Sequence, residues 1–311
     1  MTWRGTLTLV MLAAWSWPAW SQASSPETAP LTVCMQTNDP PLSVRGADGP
    51  SGFDVALSRR IAQRLGRELR VQWFVSRDDP DASFPKDADA LLSYGRCQLV
   101  AEFPLTEGAL ERPRSPTSKL PPFDGATPDD RRRWIGIGEL AATRPYRLDV
   151  LTIVVASRDA DRHVGKLADL AGLKIGVQVA TLPDAVTMRY AGGSLIENTV
   201  HLRETRDLFD GLRSGAIDAA FMNLRAVDAW RLRHGSEGFA LTGYMHSAGF
   251  NMGFVGLASN KALIEQVDTV LADLQAHDAV APLAAAAGLT FIPPRLPNVQ
   301  PDVSMAVLNG D

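Results

Sequence analysis

Short apolar runs alternate along this chain with stretches in which apolar residues recur at every fourth position. The first pair is the most regular: residues 31–35 have the length and composition of a buried strand, and residues 53–65 carry one helical stripe that ends before Gly66. Between them, residues 37–41 include two consecutive prolines, which interrupt regular structure. A strand, a loop and a returning helix form half of a βαβ unit, in which ligands bind at the carboxyl ends of strands. The loop of residues 37–43 is therefore the first candidate binding site.

The same alternation continues beyond residue 66 and predicts an α/β protein. Strands are predicted at residues 68–74, 97–101 and 150–156, and helices at residues 87–94, 205–214 and 263–274. Residues 104–142 break the pattern, because much of this segment is dense in proline and arginine and has no periodicity. The simpler interpretation is a solvated surface excursion, and a basic interaction patch is the functional alternative.

The first 23 residues have the features of a secretory signal peptide. Arg4 precedes an apolar stretch that is too short to span a bilayer, and small residues flank Gln22 before a predicted cleavage after Ala23. An uncleaved membrane anchor is the alternative, but the apolar stretch is short for that role. The prediction is export to the periplasm, a compartment in which disulfides persist.

Composition then limits the function. The 311 residues are 45% hydrophobic and 21% charged, with a net charge of −4, which is ordinary for a globular protein of about two domains. No basic excess indicates a nucleic-acid partner. The five histidines are scattered, and the zinc-protease, nucleophile-elbow and Walker A motifs are absent from the sequence. We therefore expect no enzymatic activity, no cofactor and no metal.

Several segments together resemble family 3 of the periplasmic solute-binding proteins. They are LTVCMQTNDPPLSV and GFDVALSRRIAQRLG near the start, DLAGLKIGVQ at 169–178 and GAIDAAF at 215–221, and the resemblance covers roughly residues 30–292. It implies an α/β protein of the two-lobed type II periplasmic binding fold, with a ligand cleft between the lobes and two crossing segments. The implied divisions are lobe 1 at 30–153 and 251–292, interrupted by the excursion at 104–142, lobe 2 at 154–250, and a loosely ordered tail at 293–311.

The resemblance also implies ligand contacts in lobe 1. Asn38 and Asp39 are expected to face the cleft, although both residue types are also common turn formers. Leu42 stands where relatives often have an aromatic residue that stacks on the ligand. Arg144 is a candidate for reading a ligand carboxylate, with Arg112 and Arg114 as alternatives.

In lobe 2, the resemblance places Ala180 and Thr181 where relatives have Gly-Thr before a helix. The threonine hydroxyl and the free amides of the helix are expected to hold a carboxylate, and a helix N-cap is the simpler role. Asn223 stands where amino-acid-binding relatives have an aspartate that neutralises the ligand ammonium. Without that charge, a cationic group gains little at this position.

A narrower resemblance concerns the cysteines. Cys34, the GRC of 95–97 and the TRPY of 143–146 are similar to binding-protein-like components found with quinoprotein (PQQ) alcohol dehydrogenases, and the chain departs from that pattern at Gln98 and Arg147. In the implied fold the strands of Cys34 and Cys97 are neighbours, so a disulfide between them is expected. Two buried reduced thiols are the alternative.

The predicted function is a monomeric periplasmic protein that captures a small polar or anionic solute, either amino-acid-like or an organic acid. Its partner is then an ABC permease. The alternative is an accessory factor that docks on a quinoprotein (PQQ) alcohol dehydrogenase in the periplasm. An enzyme is the third and weakest interpretation.

Overall fold

The structure is a computed structural model, and it describes Met1 and residues 29–77, 83–111 and 115–311. The predicted signal peptide, apart from Met1, lies outside the described residues, as do Arg112 and Arg114. No helix in these described ranges combines the length and the apolar character that crossing a membrane requires.

The secondary structure follows the alternation of the sequence. In chain order the strands are β1 (Leu31–Gln36), β2 (Val44–Gly46), β3 (Gly49–Ser51), β4 (Leu69–Phe74), β5 (Leu99–Pro104), β6 (Thr117–Lys119), β7 (Trp134–Gly136), β8 (Leu140–Ala142), β9 (Arg147–Asp149), β10 (Leu151–Ala156), β11 (Ile175–Gln178), β12 (Thr199–Leu202), β13 (Ala219–Asn223), β14 (Phe239–Met245) and β15 (Phe250–Leu257). The α-helices are α1 (Phe53–Arg64), α2 (Phe84–Ser93), α3 (Glu107–Leu110), α4 (Leu182–Arg189), α5 (Thr205–Ser214), α6 (Leu224–His234), α7 (Lys261–Ala276), α8 (Val280–Ala286) and α9 (Met305–Asn309).

Two separate sheets divide the described chain into two lobes. Lobe 1 is built on a sheet of order β4-β1-β5-β15-β8, with β9 also paired to β15, and β1 runs parallel to β4 and β5. Lobe 2 is built on a sheet of order β12-β11-β13-β10-β14, in which β11 runs parallel to both of its neighbours. The predicted two-lobed α/β architecture is confirmed.

The chain crosses between the lobes at the ends of four strands. β9 ends in lobe 1 at Asp149 and β10 begins in lobe 2 at Leu151, while the return crossing lies between β14 and β15. The predicted boundary at residue 153 therefore falls inside β10, because Leu151 already pairs with Asn223 of lobe 2.

Buried apolar residues hold the helices against these sheets. The stripe predicted for α1 is buried in lobe 1, where Phe53 and Leu57 join a cluster with Tyr146 and Phe254. Burying a side chain of this size stabilises the fold by about 1.5–3 kcal/mol. The helix stripe thus fixes α1 on one face of the sheet, and the loop before it is held at the carboxyl end of β1.

The predicted disulfide is confirmed. Cys34 in β1 and Cys97 just before β5 form a bridge with a Cα–Cα distance of 5.6 Å. Their strands are parallel neighbours, with Cys34 opposite Val100. The bridge therefore links two adjacent strands of lobe 1.

The excursion at 104–142 is more structured than the predicted solvated loop. Its described residues form α3, β8 and a hairpin of β6 and β7. Leu120, Phe123 and Ile135 are buried in a lobe 1 cluster with Leu91 of α2. These scattered apolar residues pack against an existing helix, and such packing leaves no periodic signal in the sequence.

Residues 293–311 are attached to both lobes, unlike the predicted loose tail. On lobe 1, the buried Asn251 side chain donates to three tail carbonyls at distances from 2.7 to 3.1 Å. On lobe 2, α9 packs on α4, and the Asp311 carboxylate accepts hydrogen bonds from the hydroxyls of Tyr190 and Tyr244. The tail is therefore a third connection between the lobes.

Candidate functional site

A cavity of about 480 Å³ lies between the two lobes. Lobe 1 contributes the turn of residues 38–40 to its wall, and lobe 2 contributes the ends of β11 and β13 together with α5 and α6. Small-molecule pockets commonly have volumes of about 300–1,000 Å³. The cavity has this size, and it lies at the carboxyl ends of parallel strands, as the sequence pattern predicts.

The turn after β1 brings Asn38 and Asp39 to the cavity wall. Asn38 has φ 62°, a left-handed conformation that asparagine adopts more readily than most residues. The Asp39 N–H donates to the Ser43 carbonyl at 2.7 Å, and the Ser43 hydroxyl donates to the Gln36 carbonyl at 2.7 Å. These two residues thus form the turn and also line the cavity.

A glutamate interrupts the apolar run of β5. Glu102 is only 9% exposed and has φ 59°, a strained value for a residue other than glycine. Its N–H donates to the Tyr146 hydroxyl at 2.8 Å. Its carboxylate accepts a hydrogen bond from Arg147 Nη2 at 3.0 Å. A carboxylate in such a conformation, paired to an arginine, is typical of a functional site rather than of a packed strand.

Arg147 connects the acidic groups of lobe 1. Its side chain is 3% exposed and contacts Glu102 on one side and Asp149 on the other, with Nη1 3.2 Å from the Asp149 carboxylate. Asp149 also accepts a hydrogen bond from the Asn223 amide of lobe 2 at 3.2 Å. Arg147 therefore lies at the crossing of the chain and holds two carboxylates in place.

A second arginine bridges the lobes. Arg225 in the first turn of α6 places Nη1 2.5 Å from the Asp39 carboxylate and Nε 3.5 Å from the Glu102 carboxylate. Both acids belong to lobe 1, whereas Arg225 belongs to lobe 2. The side chains of Arg225, Asp39 and Glu102 are 30%, 19% and 11% exposed, so water screens these ion pairs incompletely. The bridge holds the two lobes together across the cleft.

The pKa values of these side chains are shifted because the groups are buried close to one another. Burial raises the pKa of Glu102 well above its usual range, the Asp39 charge raises it further, and Arg225 and Arg147 oppose the shift. Burial likewise raises the pKa of Asp54, beneath the cleft, to about 6 against the effect of Arg147. Burial alone would lower the pKa of Arg225, but Glu102 and Asp39 outweigh it and raise that pKa. Arg225 therefore stays charged, while burial favours the protonated forms of Glu102 and Asp54.

The lobe 2 wall of the cavity is cationic and partly aromatic. Trp230 of α6 stacks on Phe209 of α5 with ring centroids 4.3 Å apart, and His234 lies 4.0 Å from the Trp230 ring. Arg206 and Arg233 line the same cavity. Arg206 is 3.6 Å from the Glu204 carboxylate, whereas the exposed Arg233 takes part in no ion pair within the described part of the chain. Phe209 and His234 thus cover the two faces of Trp230, and the wall offers the edge of this stack beside the positive charge of Arg233, which suits an anion with an apolar body.

The start of α4 differs from the predicted carboxylate site. Ala180 has φ 59°, and its N–H already donates to the Asp184 carboxylate at 2.9 Å. The Thr181 hydroxyl donates to the Gln178 carbonyl at 2.6 Å and does not cap the helix. Thr181 lines the cavity, but the carboxylate of Asp184 occupies part of the helix N-terminus where a ligand carboxylate was expected.

Two further candidates lie away from the cavity. Leu42 is 0% exposed, because its side chain packs in the lobe 1 core instead of facing a ligand. Arg144 faces α7, where its guanidinium is 2.9 Å from the Asp268 carboxylate and its N–H donates to the same group. Leu42 and Arg144 therefore lie outside the cavity, whereas Asn223 is part of its lining.

The central charged residues were missed in the sequence. In lobe 1, Glu102 could have been recognised from the sequence as a candidate site residue, because it is a charged residue in the otherwise apolar run LVAEFP. Arg147 was noticed only as a departure from a motif. Arg225 follows Asn223 by two positions, but nothing local shows that it reaches Asp39, 186 residues away along the chain. Such pairing is a property of the fold.

Comparison with solved structures places the fold. No family model matches the sequence, and no curated protein matches it. The L-cystine solute receptor of Neisseria gonorrhoeae, in its unliganded open conformation, aligns with a TM-score of 0.60 over 86% of this chain and 96% of the receptor, at 17% identity. The chain has the two-lobed fold of the periplasmic binding proteins.

Other binding-protein folds match to a similar extent. An amino acid ABC transporter substrate-binding protein from Streptococcus pneumoniae, bound to L-arginine, has a TM-score of 0.51 at 19% identity, covering 85% of this chain and 95% of its own. A histidine kinase sensor domain with similarity to periplasmic binding proteins also has a TM-score of 0.51, at 16% identity, covering 85% and 98%. The binding-protein fold is thus shared among proteins with different roles, so the function has to be argued from the site.

Proposed function

We propose that this protein is a periplasmic solute-binding protein that captures a small polar or anionic solute between its lobes and delivers it to an ABC permease. The observation that carries the proposal is the cationic cavity between the lobes. Its lining includes Arg206, Arg225 and Arg233, whereas Asp39 is its one acidic residue among those described. Arg225 is paired with Asp39 and Arg206 with Glu204, so Arg233 is the lining arginine whose charge is left for a solute among the described residues.

The neutral residues of the cavity support the same preference. Asn223 presents an amide where a carboxylate would be needed to hold an ammonium group, and that amide is engaged with Asp149. Trp230, Ala226 and Ala229 give α6 an apolar surface toward the cavity. An organic acid or an acidic amino acid places its carboxylate near Arg233 and its carbon skeleton on this surface.

The location and partner rest on broader arguments. The predicted signal peptide and the Cys34–Cys97 disulfide support export to the periplasm. Solved structures with this fold include a solute receptor and an ABC transporter substrate-binding protein, which supports a permease partner. The protein is proposed to act as a monomer, because lobe closure around a solute needs no second copy.

A thermal-shift screen of organic acids, acidic amino acids, neutral amino acids, lysine and arginine tests this proposal. We expect acids to raise the melting temperature of the wild-type protein, and Arg233→Ala to weaken binding of the best one by roughly 10- to 100-fold, because a hydrogen bond to a charged group contributes about 1.5–3 kcal/mol. Arg213→Ala is the matched control, since Arg213 lies on α5 with an exposed partner, Asp210, and outside the cavity. Preferential stabilisation by lysine or arginine would overturn the proposal.

The second candidate function is an accessory factor for a periplasmic quinoprotein dehydrogenase. Two observations favour it: the bridged Cys34 and Cys97 fit the motif of that subgroup, and Arg225 closes the cleft with the protein's own groups. Native mass spectrometry of the protein isolated from its host distinguishes the two. A retained small acid supports the solute-binding function, and a stoichiometric complex with a dehydrogenase supports the accessory function.

A further inference from the structure

The guanidinium of Arg225 lies between two carboxylates of the opposite lobe, where a small cation could lie instead. We propose that Asp39 and Glu102 form a cation subsite, that Arg225 is its built-in occupant, and that this occupancy excludes cationic solutes from the cleft. The meaning of the inference rests on the proposed solute-binding function. Its test, however, needs no knowledge of the natural solute.

The Arg225 side chain extends from lobe 2 to the acidic groups of lobe 1. It starts from α6 of lobe 2, and it reaches the two lobe 1 carboxylates at 2.5 Å for Asp39 and 3.5 Å for Glu102. Its Nε is buried and has no hydrogen-bond partner among the residues that the structure describes. The guanidinium of Arg225, held by its helix, therefore makes a close ion pair with Asp39 and a longer one with Glu102. A free guanidinium ion, without the constraint of the helix, could turn to satisfy both.

The charge balance explains why the subsite needs an occupant. The cluster holds four carboxylates and two guanidiniums, and the members are Asp39, Asp54, Glu102, Asp149, Arg147 and Arg225. Arg147 cannot move to replace Arg225, because its side chain is 3% exposed and held by Glu102 and Asp149. Without Arg225, the partly buried carboxylates would face one guanidinium and a newly opened space. Such a site takes up a proton or a cation.

Arg225 is thus a specificity-determining residue for the cleft. A solute with a guanidinium or ammonium group would compete for Asp39 and Glu102 with a side chain that is already in place. The local concentration of a tethered group is high, so the free cation is at a disadvantage. Only the cationic wall around Arg233 remains available, which accounts for the preference for acids.

The test uses Arg225→Ala, which opens the space and keeps both carboxylates. Binding of guanidinium chloride is measured by isothermal titration and by thermal shift, with sodium chloride at equal ionic strength and urea as the neutral isostere. We expect saturable binding of guanidinium to Arg225→Ala that is about 10- to 100-fold tighter than to the wild type, with no response to urea. The added change Asp39→Asn should abolish this gain.

Arg144→Ala is the matched control. It also removes an arginine from a carboxylate, Asp268, but this pair lies within lobe 1 and is about one third exposed. An equal gain of guanidinium binding by Arg144→Ala, or no gain by Arg225→Ala, overturns the proposal. If Arg225→Ala does not fold in ordinary buffer, its refolding yield in guanidinium chloride and in sodium chloride is compared. Because guanidinium also suppresses aggregation without a specific site, a gain in yield supports the subsite when Arg225→Ala shows it and Arg225→Ala with Asp39→Asn does not. Equal gains, or no gain, overturn it.

The result separates this inference from the proposed function. Failure of guanidinium binding with normal binding of acids by the wild type overturns the subsite alone. Binding of guanidinium by Arg225→Ala, together with no acid bound by the wild type, supports the subsite and counts against the solute-binding function.

Discussion

Asp54 is the residue at which the charge cluster is least well satisfied. It is 1% exposed, and its Oδ1 has no hydrogen-bond partner. Burial, the largest influence, raises its pKa to about 6, although Arg147 and the Tyr146 hydroxyl lower it. The folded state therefore binds the Asp54 proton more tightly than the unfolded chain, and this contribution to stability is lost as the pH rises from about 4 through 6.

The variant Asp54→Asn tests the predicted direction of this pH dependence of stability. The variant carries no buried charge at high pH, so its free energy of unfolding relative to the wild type should increase between pH 4.5 and pH 7.5, by on the order of 2–3 kcal/mol. Urea unfolding at the two pH values measures the difference. Glu102 also has a raised pKa, but it is present in both proteins. Asp210→Asn, at an exposed ion pair, is the control and should show no such pH dependence. Parallel pH profiles for Asp54→Asn and the wild type would contradict the prediction.

Sequence reasoning pointed to several residues at the ends of strands that line the cavity. Asn38, Asp39, Thr181 and Asn223 line the cavity, because the carboxyl ends of parallel strands meet at one edge of a sheet. It could not locate Arg225, since the contact between Arg225 and the turn after β1 depends on how the lobes face each other. Leu42 and Arg144 were placed by motif position, which does not determine where a side chain points.

Elements with a regular period were predictable, and elements held by single hydrogen bonds were not. The strands β1 and β10 and the helix α1 follow from apolar runs and stripes. The tail at 293–311 has no such period, and Asn251 of β15 attaches it through hydrogen bonds to three of its carbonyls. A side chain that binds backbone carbonyls more than 40 residues away leaves no local signal.

Asn251→Ala should therefore release the tail from lobe 1. The change removes the shared donor of three tail carbonyls and leaves a gap at a buried position, and we expect a loss of about 2–4 kcal/mol in the free energy of unfolding. Asn298→Ala is the control: the Asn298 side chain is exposed, and only its backbone carbonyl binds Asn251. That variant should change stability by less than about 0.5 kcal/mol. Chemical denaturation measures both, and equal losses in the two variants would show that Asn251 has no special role.

At the scale of the whole molecule, three segments connect the lobes rather than two. The third is the tail, whose helix α9 packs Val307 and Leu308 against the lobe 2 core. In this fold the lobes usually open by rotation about the two strand crossings. A third attachment between the lobes restricts how far they can separate.

Removing residues 304–311 should widen the range of lobe separations. Pulsed electron resonance between one spin label on each lobe measures that range, and we expect a broader distance distribution with a longer mean for the shortened chain. Met305→Ala is the control, because the Met305 side chain is 52% exposed on the same helix. An unchanged distribution in the shortened chain would mean that the Arg225 bridge alone sets the lobe separation.

The disulfide has a consequence for the two acids of the cleft. Asp39 lies five residues after Cys34, and Glu102 lies five residues after Cys97, in or just beyond parallel neighbouring strands. A covalent bond between the cysteines holds these strands in the observed register, in which Cys34 lies opposite Val100 and Glu102 is level with Gln36, three residues before Asp39. A slip of one residue would turn a strand's side chains to the opposite face. Oxidation of these two thiols thus helps to set the spacing of two negative charges that lie away from the sulfur atoms.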